Sequence, residues 1–117
     1  MIGPNLVLRF LLELVAFGAP AAWGINVGGA GPIVTGLFGS ALVMAAWGVF
    51  RVPHDPGPAP VAVPGLVRLA IEVGCFALGV TSLAAAGWGV QALAFGVLLF
   101  AHYAFSFPRV LWLINHP

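Results

Sequence analysis

Charged side chains are scarce in this sequence, and lysine is absent altogether. Only 6% of the 117 residues are charged, whereas 62% are hydrophobic, and the mean hydropathy is +1.10. A soluble domain of this size needs a charged surface, which so few charged residues do not provide. The composition therefore predicts an integral membrane protein of one domain, residues 1–117. It also excludes a nucleic-acid-binding protein, because a net charge of +1 is too small for a basic footprint.

Residues that carry chemistry are equally sparse. Cys75 is the one cysteine, so an internal disulfide is impossible, and its place inside an apolar run indicates a packing role. No nucleophile adjoins a base in a recognisable motif, and the glycines form no phosphate-binding motif. His54 with Asp55 is a weak metal pair, and His102 alone is a weak haem ligand. We therefore predict that the protein is not an enzyme and needs no cofactor or metal.

Four apolar runs separated by glycine- and proline-rich segments predict an all-α fold, an integral membrane four-helix bundle. The predicted spans are about 5–25, 33–50, 65–86 and 90–107. The proline-rich segment 51–64 predicts an extended, solvated connection between two helical hairpins. Pro108 is expected to end or kink the last helix, and 109–117 to form an interfacial tail. A signal peptide is the competing interpretation of the first run, but Arg9 and Glu13 would then lie inside its apolar core.

The two hairpins resemble each other in sequence. A shift of 59 residues superimposes Arg9, Glu13 and Phe17 on Arg68, Glu72 and Phe76. Apolar sequence matches itself easily, but here the scarce charges recur at the same spacing. The pattern predicts two repeated hairpins of the same sense, related by a pseudo-twofold axis along the membrane normal.

The arginines predict the orientation of the spans. With four spans, all of them lie on the side that holds both termini and the central loop: Arg9, Arg51, Arg68 and Arg109. The two turns on the other side carry no charge. By the positive-inside rule, both termini are cytoplasmic and the protein is a multi-pass protein of the cell inner (plasma) membrane. Trp47, near the end of the second run, is predicted to be an interfacial aromatic anchor.

A buried polar layer is the candidate site. Its predicted members are Arg9, Glu13, Arg68, Glu72, His102 and Tyr103, with Trp47 nearby. From Asn5, a plausible N-cap, Arg9 lies about 6 Å and Glu13 about 12 Å along the helix, so only the arginine is expected to snorkel to the headgroups. An ionised carboxylate at such depth should face the bundle interior and either pair or protonate. Each arginine could pair with the glutamate four residues later. The alternative pairs cross the pseudo-twofold axis, Arg9 with Glu72 and Arg68 with Glu13.

Several of these motifs resemble a known family. They are Asn5, Arg-Phe-Leu-Leu-Glu at 9–13, Trp47-Gly48-Val49-Phe50 followed by Pro53, and Arg-Leu-Ala-Ile-Glu at 68–72. The chain is similar over roughly residues 5–103 to the YrdB-like family of small bacterial integral membrane proteins. The resemblance implies four spans, and it implies no reaction or ligand because the family has no established activity.

Three functions are compatible with this pattern. The first is a non-enzymatic accessory or packing subunit, with the charges as a fixed clasp between helices and with other membrane subunits, itself and membrane lipids as partners. The second is a small proton-coupled transporter that uses Glu13 and Glu72 as exchangeable carboxylates and His102 as a relay, since two neighbouring acids raise the pKa of one of them. The third is a binder of a lipid or another hydrophobic ligand.

Overall fold

The computed structural model describes residues 3–55 and 59–116, which are mostly helical. Its elements are α1 (Gly3–Val27), α2 (Ala30–Val49), β1 (Phe50–Arg51), β2 (Val61–Ala62), α3 (Gly65–Ala85), α4 (Gly89–Phe105) and α5 (Phe107–Ile114). Helices α1, α2 and α3 are each long and apolar enough to cross a membrane. Helices α4 and α5 pass the same test as a pair that bends by 72° at a short break. The described residues therefore contain three candidate spans, or four when α4 and α5 count as one.

Glycines in the left-handed region allow short turns at one end of the helices. Gly28 and Gly29 have φ values of 82° and 90° between α1 and α2, and Gly87 has a φ of 87° after α3. Side chains with a Cβ rarely adopt this conformation, so glycine is the residue that permits such turns. Pro32 lies in the first turn of α2, where a missing N–H leaves no helical hydrogen bond unmade.

Helices α1 and α2 approach closely because small residues line their contact. A Cβ on Gly24 would collide with the backbone of α2, and a Cβ on Gly36 would collide with the carbonyl oxygen of Pro20. Ser40 forms a hydrogen bond beside this proline, since its hydroxyl accepts the N–H of Ala21 at 3.0 Å. The contact thus combines close backbone packing with one hydrogen bond between the helices.

The core lies around α1 and α3, which occupy the middle of the fold. Helix α1 contacts α2, α3 and α4, and α3 contacts α2, α4 and α5 as well. Aromatic rings form the centre of this core: Trp47 meets Phe76, and Phe76 meets Phe95, at ring-centroid distances of 5.1 and 6.1 Å. The outward faces carry large apolar side chains such as Val90 and Phe100, both 79% exposed. Such faces suit an apolar surrounding.

The connection between α2 and α3 differs from its prediction. Strands β1 and β2 pair in parallel, with Phe50 opposite Val61. Val52 is fully buried and Asp55 is 6% exposed, so the prediction of a solvated segment is wrong for these two residues, whereas Pro53 and His54 between them are exposed. Residues 56–58, also part of that prediction, lie outside the described residues. Asp55 is buried because its carboxylate binds an arginine of α5, as described below.

The predicted interfacial tail contains a helix that folds back onto the domain. The bend predicted at Pro108 is present, and this proline lies in the first turn of α5, where its fixed φ suits a helix start. Leu113 of α5 is fully buried. Its backbone lies so close to Gly65, at the start of α3, that a Cβ there would collide with it. Gly65 also donates its N–H to the carbonyl oxygen of His116 at 2.8 Å, which fixes the end of the chain against α3.

Candidate functional site

Glu72 is the centre of the polar residues. Its side chain is fully buried on α3 and accepts the hydroxyl of Tyr103 at 2.7 Å. Arg68, one helical turn earlier, donates its Nε at 2.9 Å. Arg109 donates from both terminal nitrogens, at 3.1 Å to Oε1 and 2.8 Å to Oε2, and Arg9 lies at 3.0 Å. One carboxylate therefore binds three guanidinium groups, which satisfies the requirement that a buried charge be paired and hydrogen-bonded.

Glu13 lies at the edge of the same cluster. It is paired with Arg9 of its own helix at 3.2 Å, and its Oε1 accepts the indole N–H of Trp47 at 3.1 Å. Its side chain is 21% exposed, in contrast to the fully buried Glu72. Both predicted pairings of Arg9 are present, with Glu13 and with Glu72, because its fork-shaped guanidinium reaches one acid on α1 and one on α3. For Arg68, the described ion pair is the local one with Glu72.

Trp47 lies between the two repeated arginines. The guanidinium carbons of Arg9 and Arg68 are 5.1 and 4.5 Å from its ring centroid, within cation–π range. Arg68 also donates to the backbone oxygens of Trp47 and Phe50, at 2.6 and 3.0 Å, where α2 ends and its last carbonyls lack helical partners. Trp47 is only 4% exposed. Its prediction as an interfacial anchor is therefore wrong, because the indole is needed inside the fold.

His102 is fully buried and bonded on both ring nitrogens. Nε2 is 3.3 Å from Nη1 of Arg9, and Nδ1 is 3.0 Å from the side-chain oxygen of Asn5. An arginine can only donate, so Nε2 accepts and Nδ1 carries the proton, which makes the ring neutral. Asn5 in turn donates to Ser106 at 2.6 Å. His102 was predicted to act as a relay for Glu13 and Glu72. In the structure its ring contacts Arg9 and Asn5 instead, and it is Tyr103 that contacts Glu72.

Two further predictions about this region are wrong. Arg9 does not snorkel outward, since it is 7% exposed and turned toward Glu13 and Glu72. Asn5 does not begin α1, since the helix already starts at Gly3 and the amide of Asn5 is buried. Both side chains point inward because each bonds one ring nitrogen of the buried His102. The spacing of residues along one helix does not reveal this contact.

Asp55 and Arg109, which the sequence did not assign to the layer, are bonded to it in the structure. Asp55, from the segment after β1, accepts both Nε and Nη2 of Arg109, at 3.2 and 2.6 Å. This two-point contact is the strong geometry for an arginine and a carboxylate. Arg109 thereby links the α2–α3 connection to Glu72 and holds α5 in place. The signal in the sequence was that Arg109 follows a proline inside an apolar segment, where a charge needs a partner.

All the charged side chains of the chain belong to one group, which we name the charged cluster. Its members are Arg9, Glu13, Arg51, Asp55, Arg68, Glu72 and Arg109. Arg51 belongs to it through a cavity that it lines together with Arg9 and Arg109. Four positive and three negative side chains leave the net charge of +1 that the whole sequence has. The cluster lies where α1 and α3 begin and where α2 and α4 end, and the turns at the opposite end contain no charged residue.

Hydrogen bonds within the fold occupy the carboxylate oxygens of two acids in this cluster, Asp55 and Glu72. Among residues 3–55 and 59–116, no three His, Cys, Asp or Glu side chains are placed to hold a metal ion. Both oxygens of Asp55 are engaged by Arg109, so the weak metal pair with His54 has no support. Both oxygens of Glu72 are likewise engaged. The site is a set of ion pairs that joins α1, α3, α5 and the segment after β1.

Fold and site define a small all-helical protein with apolar helices of membrane-spanning length and one internal group of ion pairs. Residues 7–100 match the model of the family described as "Protein of unknown function (DUF2568)". The chain is 39% identical over 116 residues to "Uncharacterized protein YrdB" of Bacillus subtilis (strain 168), covering 95% of this chain and 94% of that protein. No solved structure matches. The chain therefore belongs to this YrdB-like family of unknown function, which confirms the resemblance seen in its motifs.

Proposed function

We propose that this protein is a non-enzymatic, four-span protein of the cell inner membrane whose charged cluster is a permanent clasp. In this proposal it serves as an accessory or packing subunit, associated with other membrane proteins or with further copies of itself. The observation that carries it is the saturation of Glu72, which is fully buried and bound by Arg9, Arg68, Arg109 and Tyr103. A carboxylate held by three guanidinium groups is a poor exchangeable site, because protonation would leave buried positive charge unpaired.

The proposed topology rests on the placement of the arginines. In a four-span bundle, α4 crosses the membrane and α5 turns by 72° to lie across the end that carries the charged cluster. The uncharged turns at Gly28 and Gly87 then face the other side. The positive-inside rule assigns the arginine-bearing end to the cytoplasm, so both termini are cytoplasmic in this proposal.

The proposed internal repeat gains support from the side chains around Trp47. Arg9 and Arg68 both approach this ring, and each is paired with the glutamate four residues later. Phe17 and Phe76 meet the same ring edge-on at 6.0 and 5.1 Å. The equivalent residues of α1 and α3 thus surround one indole, as two hairpins related by a pseudo-twofold axis would place them.

A proton-coupled transporter is the second candidate, and Glu13 is the residue that favours it. Its carboxylate is partly exposed and lines a cavity, so it is the acid that a proton from outside reaches most easily. Glu72 does not share this property, because its oxygens are enclosed by the arginines. A transporter mechanism would therefore use Glu13 with a single exchangeable proton rather than a pair of acids.

Reconstitution of the purified full chain into liposomes separates the two candidates. With a pH gradient across the vesicles, a packing subunit gives the same proton flux as empty liposomes, and E13Q gives no change. A transporter gives flux above this background, and E13Q abolishes it while the protein still inserts and stays folded. Chemical crosslinking in native membranes then tests the packing role directly, since an accessory subunit yields defined adducts with a neighbouring membrane protein or with itself. A chain that neither conducts nor crosslinks would contradict the proposal.

A further inference from the structure

Helix α5 has an exposed apolar face. Phe107, Leu111 and Ile114 are 57%, 44% and 46% exposed, and their spacing of four and three residues places them on one side of the helix. Leu113 lies on a different side and is fully buried, and its backbone contacts the start of α3. Helix α5 is therefore apolar both on the side that the fold buries and on the side that the fold leaves uncovered.

The length of α3 gives the depth of α5 in the proposed four-span bundle. Helix α3 has 21 residues, which corresponds to about 32 Å and matches the roughly 30 Å of a hydrocarbon core. Its first residue, Gly65, contacts the backbone of Leu113 and donates its N–H to the carbonyl oxygen of His116 at 2.8 Å. The end of α5 thus lies beside the start of α3, at the level where the hydrocarbon core ends.

The direction of α5 follows from its angle to α4. Helix α4 has 17 residues, so it is about 26 Å long and slightly shorter than the hydrocarbon core. Helix α5 turns by 72° from it and has 8 residues. Its length of about 12 Å therefore advances only about 4 Å along the direction of α4. Such a helix lies nearly in the plane of the membrane, where apolar helix faces insert at the boundary between headgroups and acyl chains.

The exposed face of α5 continues the apolar surface of the neighbouring helices. Phe105, the last residue of α4, is 73% exposed, and Leu66, in the first turn of α3, is 59% exposed. Ile114 and Leu66 line the same shallow cavity, which has a volume of about 410 Å³. Lipid covers the outward faces of α3 and α4 in a spanning bundle, so the same cover suits the face of α5 between them.

A second copy of the chain is a poorer occupant of this face. The helix is about 12 Å long and about 10 Å wide, so the face offers roughly 120 Å² in projection. A stable protein interface buries about 800 Å² on each partner. Lipid needs no such minimum area, because α4 already anchors α5 at the membrane.

We propose that α5 lies in the plane of the membrane surface, with Phe107, Leu111 and Ile114 inserted among the lipids of the leaflet next to the charged cluster. The inference rests on the proposed four-span topology, in which α4 crosses the bilayer. It is independent of whether the protein packs against other subunits or moves protons.

The accessibility of spin labels in liposomes tests this placement. Three single-cysteine variants of the full chain, L111C, V97C and A62C, are made in a Cys75→Ser background, labelled with a nitroxide and reconstituted. Collisions with oxygen, which concentrates in the membrane, are compared with collisions with a water-soluble nickel chelate. We expect L111C to meet the chelate several-fold less often than A62C, in the exposed strand β2, and more often than V97C, on the exposed face of α4 near its middle.

The three variants separate failure of this inference from failure of the topology. Chelate collisions as frequent in L111C as in A62C would overturn the inference, because the α5 face would then lie in water. A label on L111C that is shielded from both reagents would also overturn it, because a protein neighbour would then cover the face. A label on V97C that the chelate reaches freely would show that α4 does not cross the bilayer, and the topology would fail together with the inference.

Photolabelling of the natural chain needs no substitution. A lipophilic diazirine dissolved in the bilayer is activated by light, and its adducts are mapped by mass spectrometry of peptides. We expect adducts on the exposed face of α5 as well as at Val97. Labelling of Val97 without adducts on α5 would overturn the inference even when the cysteine variants fold poorly.

Discussion

The substitution Glu72→Gln is the sharpest test of the clasp. It keeps the volume of the side chain and removes one negative charge from the middle of three arginines. Arg9 would still have Glu13, and Arg109 would still have Asp55. Arg68 would keep its bonds to two backbone oxygens and its contact with the Trp47 ring, but this fully buried guanidinium would lose the carboxylate that neutralises it.

Glu72→Gln is therefore expected to lower the free energy of unfolding. Removing one partner of a buried ion pair costs about 3–5 kcal/mol, because the remaining charge is left uncompensated. The matched control is Glu13→Gln, in which Arg9 keeps Glu72 and the new amide oxygen still accepts the indole N–H. For this partly exposed pair we expect a loss of about 1 kcal/mol. The free energy of unfolding is measured in mixed micelles titrated with a denaturing detergent, under identical conditions for both variants.

A second substitution separates lost charge pairing from simple lost packing. In the R68M and E72Q double variant, no positive charge is left behind at Arg68. We therefore expect R68M to cost less in the E72Q background than in the natural protein, by about 1 kcal/mol or more. Equal losses for E72Q and E13Q, or strictly additive effects of R68M and E72Q, would refute the view that Glu72 is the centre of a clasp.

Three further substitutions test individual contacts. Gly65→Ala should displace α5, because its new methyl group collides with the α5 backbone. Limited proteolysis should then cut the C-terminal segment faster. The control is Gly74→Ala, whose new methyl group meets open space. Trp47→Phe should lower the free energy of unfolding in micelles by about 1 kcal/mol, because one hydrogen bond is lost. Trp47→Leu should lower it further, because both cation–π contacts disappear as well. Asp55→Asn should increase deuterium uptake of the segment after β1, since a two-point charged contact with Arg109 becomes a weaker one; unchanged uptake would contradict its role in fixing this segment.

The family and much of the helical content could be predicted from the sequence, for a clear physical reason. An apolar chain in a bilayer must satisfy its backbone within helices, so hydropathy and helix-breaking residues largely decide where helices lie. The predicted third span at 65–86 compares with α3 at Gly65–Ala85. The repeated Arg-x-x-x-Glu motifs are also visible in the sequence, and their spacing already predicts local pairs such as Arg68 with Glu72.

Contacts between side chains that lie far apart in the sequence could not be predicted in this way. Asp55 lies in a proline-rich segment that resembles a solvated connection, and only the fold of α5 brings Arg109 to it. Trp47 has the position of an interfacial anchor along α2, yet its indole is enclosed by arginines from α1 and α3. These contacts depend on how several helices pack together. A residue pattern along one helix does not contain that information.

The sequence by itself determined that this is an apolar, helical protein with scarce charges collected toward one end, since composition and periodicity act locally along each run. Only the tertiary structure decided that every one of those charges joins a single cluster and that Glu72 lies at its centre. The physical reason is that burying a charge is so costly that each needs a partner, and the partners available to Glu72 come from α1, α3, α4 and α5 together.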